Sequence, residues 1–175
     1  MTRIRWFDRR FDFTFPVELH PELIERLRGT PLRLAERVTI FEPEVQRRRT
    51  HGWSVQEHAG HLADLDRILF RPRISELEHG EDSLLAADLT NATTEAAHHN
   101  ARSMDAVLAE VRRERGALIA LLEGMDPAVF SRSALHPRLN VPMRLVDLML
   151  FVAEHDDHHL AAITEIARVW SRAPG

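Results

Sequence analysis

His155 and His159 stand four residues apart in the segment Glu154-His155-Asp156-Asp157-His158-His159-Leu160. On a helix, positions i and i+4 lie one turn apart on the same face, so both rings can aim a nitrogen at one ion. Two imidazoles supply only one edge of a coordination sphere, and a divalent metal needs at least a third ligand. The stretch Trp53-Ser54-Val55-Gln56-Glu57-His58-Ala59-Gly60-His61-Leu62 offers that ligand from a second helix. The competing reading is a pair of core histidines satisfied by carboxylates such as Glu154 or Asp156, since a buried ring without a partner is costly. Spacing alone leaves both readings open.

These residues must be carried by helices. In the last one, Leu145, Leu148, Met149, Val152, Ile163, Ile166 and Trp170 form one apolar stripe from about Pro142 onward. His159 falls at its centre, His155 on its flank, and His158 off it. Ser54 and Glu57 read as a capping box that opens a second helix with Val55, Ala59, Leu62, Leu65 and Leu69 inside. That helix is expected to reach about Glu78, with Pro72 as a kink or stop. Its period puts His58 nearer the middle of the apolar face than His61, so geometry by itself does not choose the third ligand.

Elsewhere, a short helix is expected from Val17 to Arg28, closed by Gly29, with Thr30-Pro31 starting a new one. Residues 41–53 read as a loop, 79–100 as a long polar connection, and about 103–122 as a further helix. Strand signals are almost absent. Three long helices and a broken one imply an all-α, up-down four-helix bundle in a single domain over 1–175, with an extended arm over 1–16.

The chain has 175 residues, enough to bury a proper core, and a net charge of −4 with both signs interspersed. That balance offers no broad nucleic-acid surface, and the run Arg47-Arg48-Arg49 is short enough to be solvated. Cysteine is absent, which excludes a disulfide framework, thiolate-bound zinc and a thiol nucleophile. The start of the chain is charged where a signal peptide is apolar, and no run approaches the ~20 apolar residues of a membrane span. A cytoplasmic protein that contacts neither nucleic acid nor membrane is expected. Among the 11 histidines, His20, His51, His79 and His136 read as loop or helix-edge residues without a special role.

The chain resembles the DinB/YfiT-like superfamily of four-helix metalloproteins over most of its length. The resemblance is carried by Trp53-Ser54-x-x-Glu57-x-x-x-His61-Leu62 and His155-x-x-x-His159, with Phe11-Asp12-Phe13 and Thr30-Pro31 in support. It implies that the first ligand is His61 rather than His58, joined by His155 and His159. It also implies a divalent metal, most often zinc or nickel with iron or manganese as alternatives, and frequently a homodimer. Three protein ligands leave one position open, as in catalytic sites. Asp64 and Asp156 are candidates to orient the rings, Glu57 already has a capping role, and His99 is expected at the surface.

The resemblance implies a metal-dependent hydrolase or a thiol-dependent transferase acting on a small molecule, with a low-molecular-weight thiol as a partner. The alternative is a non-catalytic metal or small-molecule binding module linked to stress. A metalloprotease is disfavoured, because His155-Asp156-Asp157-His158-His159 lacks the glutamate of His-Glu-x-x-His.

Overall fold

The structure, a computed structural model, describes residues 4–49 and 52–170. His51 and the first three residues of the charged start lie outside the described residues. Four main helical segments form a bundle: α1 (His20–Val38), α3 (Val55–Leu65) continuing into α4 (Arg71–His79), α6 (Met104–Glu123) and α7 (Leu145–Trp170). Short helices α2 (Pro43–Arg47) and α5 (Ala92–Ala96) sit in the connections expected to be loops. The principal packing pairs are α1 with α7, α3 with α6, α1 with α6, and α3 with α7. The two histidine-bearing helices are therefore neighbours, as the sequence required. No described helix is long and apolar enough to cross a membrane.

Three local expectations are corrected. The first concerns the break at Gly29-Thr30-Pro31, which does not occur: α1 runs through it. Pro31 has no N–H to give the carbonyl of Leu27 one turn back. Arg115 Nη1 donates to that oxygen instead, at 3.2 Å, so the missing donor is replaced from α6.

The second concerns Pro72, which neither stops nor sharply ends its helix. A π-turn at Asp66–Phe70 precedes it, in which the Arg71 N–H donates to the Asp66 carbonyl five residues back. The wider turn brings Asp66, Leu69 and Phe70 all to the buried side.

Third, α7 begins at Leu145, because the residues before it form a hairpin. Strand β1 (Ser133–His136) pairs antiparallel with β2 (Val141–Arg144), with His136 opposite Val141. Pro142 lies in this small ladder rather than in the first turn of the helix. The turn between the strands uses Asn140 at φ 54, a conformation asparagine tolerates well.

The arm lies on its own bundle. Trp6 packs edge-on against Phe11 and Phe151, at ring distances of 5.3 and 5.0 Å. Arg144 Nη2 donates to the carbonyls of Phe13 and Phe15 at 3.2 and 2.9 Å. The apolar area that the arm would have offered a partner is largely used within the chain, although Phe7 stays exposed.

The core is in two halves. One is built around Leu23, Leu27, Leu118, Leu122, Met149 and Val152, the other around Leu34, Val38, Val55, Leu62, Val107 and Val111. Between them lies a polar layer with Thr30, Asp66, Arg115 and Asp156, all no more than 2% exposed. Arg115 donates to both carboxylates, and Thr30 Oγ1 donates to Asp156 at 2.7 Å. Burial opposes the Arg115 charge, but Asp156 and Asp66 outweigh it and hold the guanidinium above its ordinary pKa.

Candidate metal centre

The capping box forms as the sequence indicates. Ser54 Oγ accepts from the Glu57 N–H at 3.1 Å, and the Ser54 N–H donates to Glu57 Oε2 at 2.9 Å. Arg49 also donates to Glu57. Burial pushes Glu57 up, but these bonds prevail and keep its carboxylate below the usual range. The cap sets the direction of α3, and with it the direction of His58 and His61.

His61, His155 and His159 are all buried, and each offers a ring nitrogen within 4.8 Å of the others. Nε2 of His159 stands 3.1 Å from Nε2 of His155. Two ligands ~2.0–2.1 Å from a tetrahedral ion lie about 3.4 Å apart, so this separation suits a shared metal. His58 takes a different place. It is half-buried, and its Nδ1 faces Nδ1 of His159 at 2.8 Å, on the side of the ring away from His155.

For His61, the bond at the outer nitrogen fixes which inner one is free. Thr94 Oγ1 donates to Asp64 Oδ2 at 3.1 Å, so the same hydroxyl accepts from His61 Nδ1–H at 2.9 Å. A neutral imidazole carries one hydrogen, which leaves His61 Nε2 with its lone pair. The Nδ1–Nδ1 contact of His58 and His159 holds a single hydrogen, and the tautomer with that hydrogen on His159 is the one that leaves its Nε2 free for a metal. Burial pushes His61 down to about 4, partly offset by Asp64, and pushes His155 and His159 well below the ordinary histidine value. Neutral rings with inward lone pairs are what metal ligation needs.

Asp64 does orient a ring, through Thr94. It also accepts from His99 Nε2 at 2.8 Å. His99 is therefore not at the surface: it is 1% exposed, seated over Gly60, where a Cβ would come within 2.3 Å of its ring. Burial pushes Asp64 up, but the hydrogen bonds from His99, Thr94 and Arg67 hold it below the usual range. Asp156 does not serve the imidazoles, since its oxygens go to Arg115 and Thr30. Glu154 pairs with Arg9 and Arg26. The carboxylates that the core-histidine reading required are thus engaged elsewhere. His158 lies beside the trio, its ring 5.4 Å from that of His159.

The trio borders a cavity of about 640 Å³, walled by Trp6, Trp53, Leu65, Leu69, Phe70 and Phe151. Trp6 from the arm meets His155 edge-on at 5.0 Å, and Trp53 lies 4.6 Å from His61. His136, expected at a loop edge, is buried and lines the same cavity. The aromatic content of the arm was a usable signal for Trp6. Nothing local marks Thr94, Gly60 or His136, whose roles depend on contacts across the fold.

A four-helix bundle carrying a buried three-histidine cluster beside an apolar cavity defines the class of protein. Residues 23–163 match the DinB superfamily, and the chain belongs to that family. It is similar in structure to YfiT from Bacillus subtilis, described as a probable metal-dependent hydrolase with an unusual four-helix bundle topology. That likeness has a TM-score of 0.78 at 24% identity and covers 94% of this chain and 95% of that one. It is also similar to a mycothiol-dependent maleylpyruvate isomerase, with a TM-score of 0.68 at 13% identity. There the match covers 88% of this chain but 63% of the isomerase. Among curated proteins, none matches the chain in sequence.

Proposed function

We propose that the chain is a metal-dependent enzyme of hydrolase or thiol-dependent transferase type, in which His61, His155 and His159 hold one divalent transition metal. The observation that carries this is the convergence of three neutral ring nitrogens at the wall of a cavity large enough for a small molecule. Zinc, nickel and iron suit an all-imidazole set, and manganese, which prefers oxygen ligands, suits it less well. The descriptions of YfiT and of the isomerase support the two reaction types.

A divalent ion so held would act as a Lewis acid and ease deprotonation of a nucleophile, water or a thiol, near neutral pH. The protein's own part is positional. Thr94 and Asp64 hold His61, and His58 holds His159, each by a hydrogen bond to the outer ring nitrogen. Trp6, Trp53 and Phe70 keep water from the inner side. His158, whose ring lies 5.4 Å from that of His159, is a further imidazole bordering the cavity beside the trio.

In this reading the substrate is a small molecule, with a low-molecular-weight thiol as co-substrate in the transferase form, and the protein works in the cytoplasm. The homodimer rests on the family resemblance, because the arm's rings other than Phe7 are largely spent on their own bundle. Sedimentation giving only monomer at micromolar concentration removes it.

Metal analysis of protein purified without an affinity tag, repeated on His61→Ala, tests the centre. A stoichiometric ion lost in the variant is the expected result. A wild-type protein that binds neither zinc nor nickel after incubation overturns it. An ion retained with no turnover of activated esters or thiol conjugates would favour the binding module instead.

A further inference from the structure

Among the described residues two arginines are almost wholly buried, and they are treated very differently. Arg115, 2% exposed, meets two carboxylates. Arg73, 1% exposed, has no carboxylate within ion-pair distance among the described residues, and it lines the cavity beside the histidine trio. Its Nε and Nη2 donate to the Leu85 carbonyl at 2.9 and 2.7 Å. Its Nη1 faces His136 Nε2 at 3.2 Å. A buried charge without a counter-charge is costly unless something supplies one.

The neighbours of Arg73 deepen the imbalance. His136 Nδ1 faces the N–H of Leu139 at 3.2 Å, so both of its ring nitrogens confront donors. A neutral imidazole can accept at only one of them, and the hydrogen on the other meets a donor. Arg138 also lines the cavity, with its guanidinium 5.2 Å from the centre of the Phe7 ring and Nη2 buried without a hydrogen-bond partner. Among the described residues, the one carboxylate bordering the cavity, Asp88, is occupied by the Thr90 N–H and hydroxyl and by the Ala92 N–H. Among the described residues, the donors and positive charges at this end of the cavity outnumber the acceptors. Burial pushes Arg73 down to about 10 against the opposing pull of Glu76, with Arg138 adding to the fall, and burial lowers Arg138 as well.

The cation group and the trio are separated by apolar rings. His136 lies 5.6 Å from Phe151, Phe151 lies 5.0 Å from Trp6, and Trp6 lies 5.0 Å from His155. Along the helix, His61 and Arg73 are twelve residues apart, about 18 Å of rise. The Arg73 side chain leans back toward the N-terminal turn and shortens that span.

We propose that Arg73, Arg138 and His136 form an oxyanion subsite at the end of the cavity away from the three histidines. It selects an elongated substrate with an apolar middle and a carboxylate or phosphate end. This deepens the proposed function, since it takes the cavity as the substrate site, but it needs no metal to be observed. The anion would give Arg138 Nη2 its missing acceptor and Arg73 a counter-charge in direct contact, where Glu76 acts only from a distance. The apolar middle would lie along Trp6 and Phe151, leaving the other end of the molecule at the trio.

The test compares binding of 4-phenylbutyrate, 4-phenylbutyl phosphate and the neutral 4-phenylbutanol to the full-length protein by calorimetry, as purified and again after chelation. At least a tenfold preference for one of the anions over the alcohol, kept after chelation, is expected, and the tighter of the two names the anion. Arg138→Met should abolish the preference while leaving the alcohol's affinity unchanged, and Arg138→Lys should restore part of it. Arg138 Nη2 makes no hydrogen bond, so these variants lose none of the fold's own bonds at that atom. Equal binding of anion and alcohol, or a preference untouched by Arg138→Met, overturns the proposal. A preference that disappears on chelation also overturns it, because the anion would then sit on the metal. A protein that binds no metal yet keeps the preference refutes the metal-dependent reading alone.

Discussion

His58 and His159 face each other nitrogen to nitrogen, Nδ1 to Nδ1 at 2.8 Å, across the interface of α3 and α7. The contact gives His58 a role without making it a member of the trio. It orients a ring whose other nitrogen points at His155. Removing His58 should therefore weaken metal binding roughly 10–100-fold while leaving the site in place, as for other residues that orient a ligand. Removing His61 should abolish binding. Competition titration of zinc against a chelator on both variants distinguishes the two positions, and equal losses would contradict the assignment.

Gly60 is required by His99. A methyl group at position 60 would sit 2.3 Å from the His99 ring, which is itself held by Asp64. Gly60→Ala should cost about 1–3 kcal/mol of stability, the usual range for overpacking a filled core. It should also weaken metal binding, because Asp64 and Thr94 together steer His61. Urea denaturation and metal titration of one variant measure both effects.

The buried triad of Asp66, Arg115 and Asp156 joins α3–α4, α6 and α7 midway between the two core halves. Arg115→Met would leave two carboxylates without a cation and the Leu27 carbonyl without a donor. A loss of ~3–5 kcal/mol is expected, the range for breaking a buried ion pair from one side. Chemical denaturation of the variant against wild type checks it, and a change under 1 kcal/mol would show that the layer relaxes freely.

Stability of the chelated protein should fall with acid. Burial, opposed by Asp64, pushes His61 down to about 4; burial, with Arg73 and Arg138, does the same to His136. Both folded values lie below the ordinary ~6.5, so the unfolded chain takes up protons first as pH drops. The contribution is complete above about pH 6.5 and is lost as pH falls toward 4. His61 alone contributes a slope of at most roughly 1.4 kcal/mol per pH unit. His136, lowered to the same value, acts in the same pH window. Urea midpoints at pH 7.5, 6 and 5 should decline in that order, and equal midpoints would contradict the buried neutral state of these rings.

What the chain determines by itself is local. The four-residue spacing of His155 and His159 places them on one helix face, and Ser54 with Glu57 caps the helix that carries His61. Each of these rests on backbone geometry within a single turn. The stripes that pair α3 with α7 are legible for the same reason.

The identity of the third ring is another matter. Apolar period favours His58, but α3 packs on both α6 and α7, and the centre of its apolar stripe need not point at α7. His61 is turned into the trio by Thr94 and Asp64, and Thr94 arrives on a short helix within a connection that looks featureless in sequence. His99 and His136 read as surface residues because their own segments are polar. Tertiary packing buries one over the space left by Gly60 and the other against Arg73. Hydrogen bonds between segments dozens of residues apart leave no periodic trace, so only the folded chain shows which donors and acceptors meet.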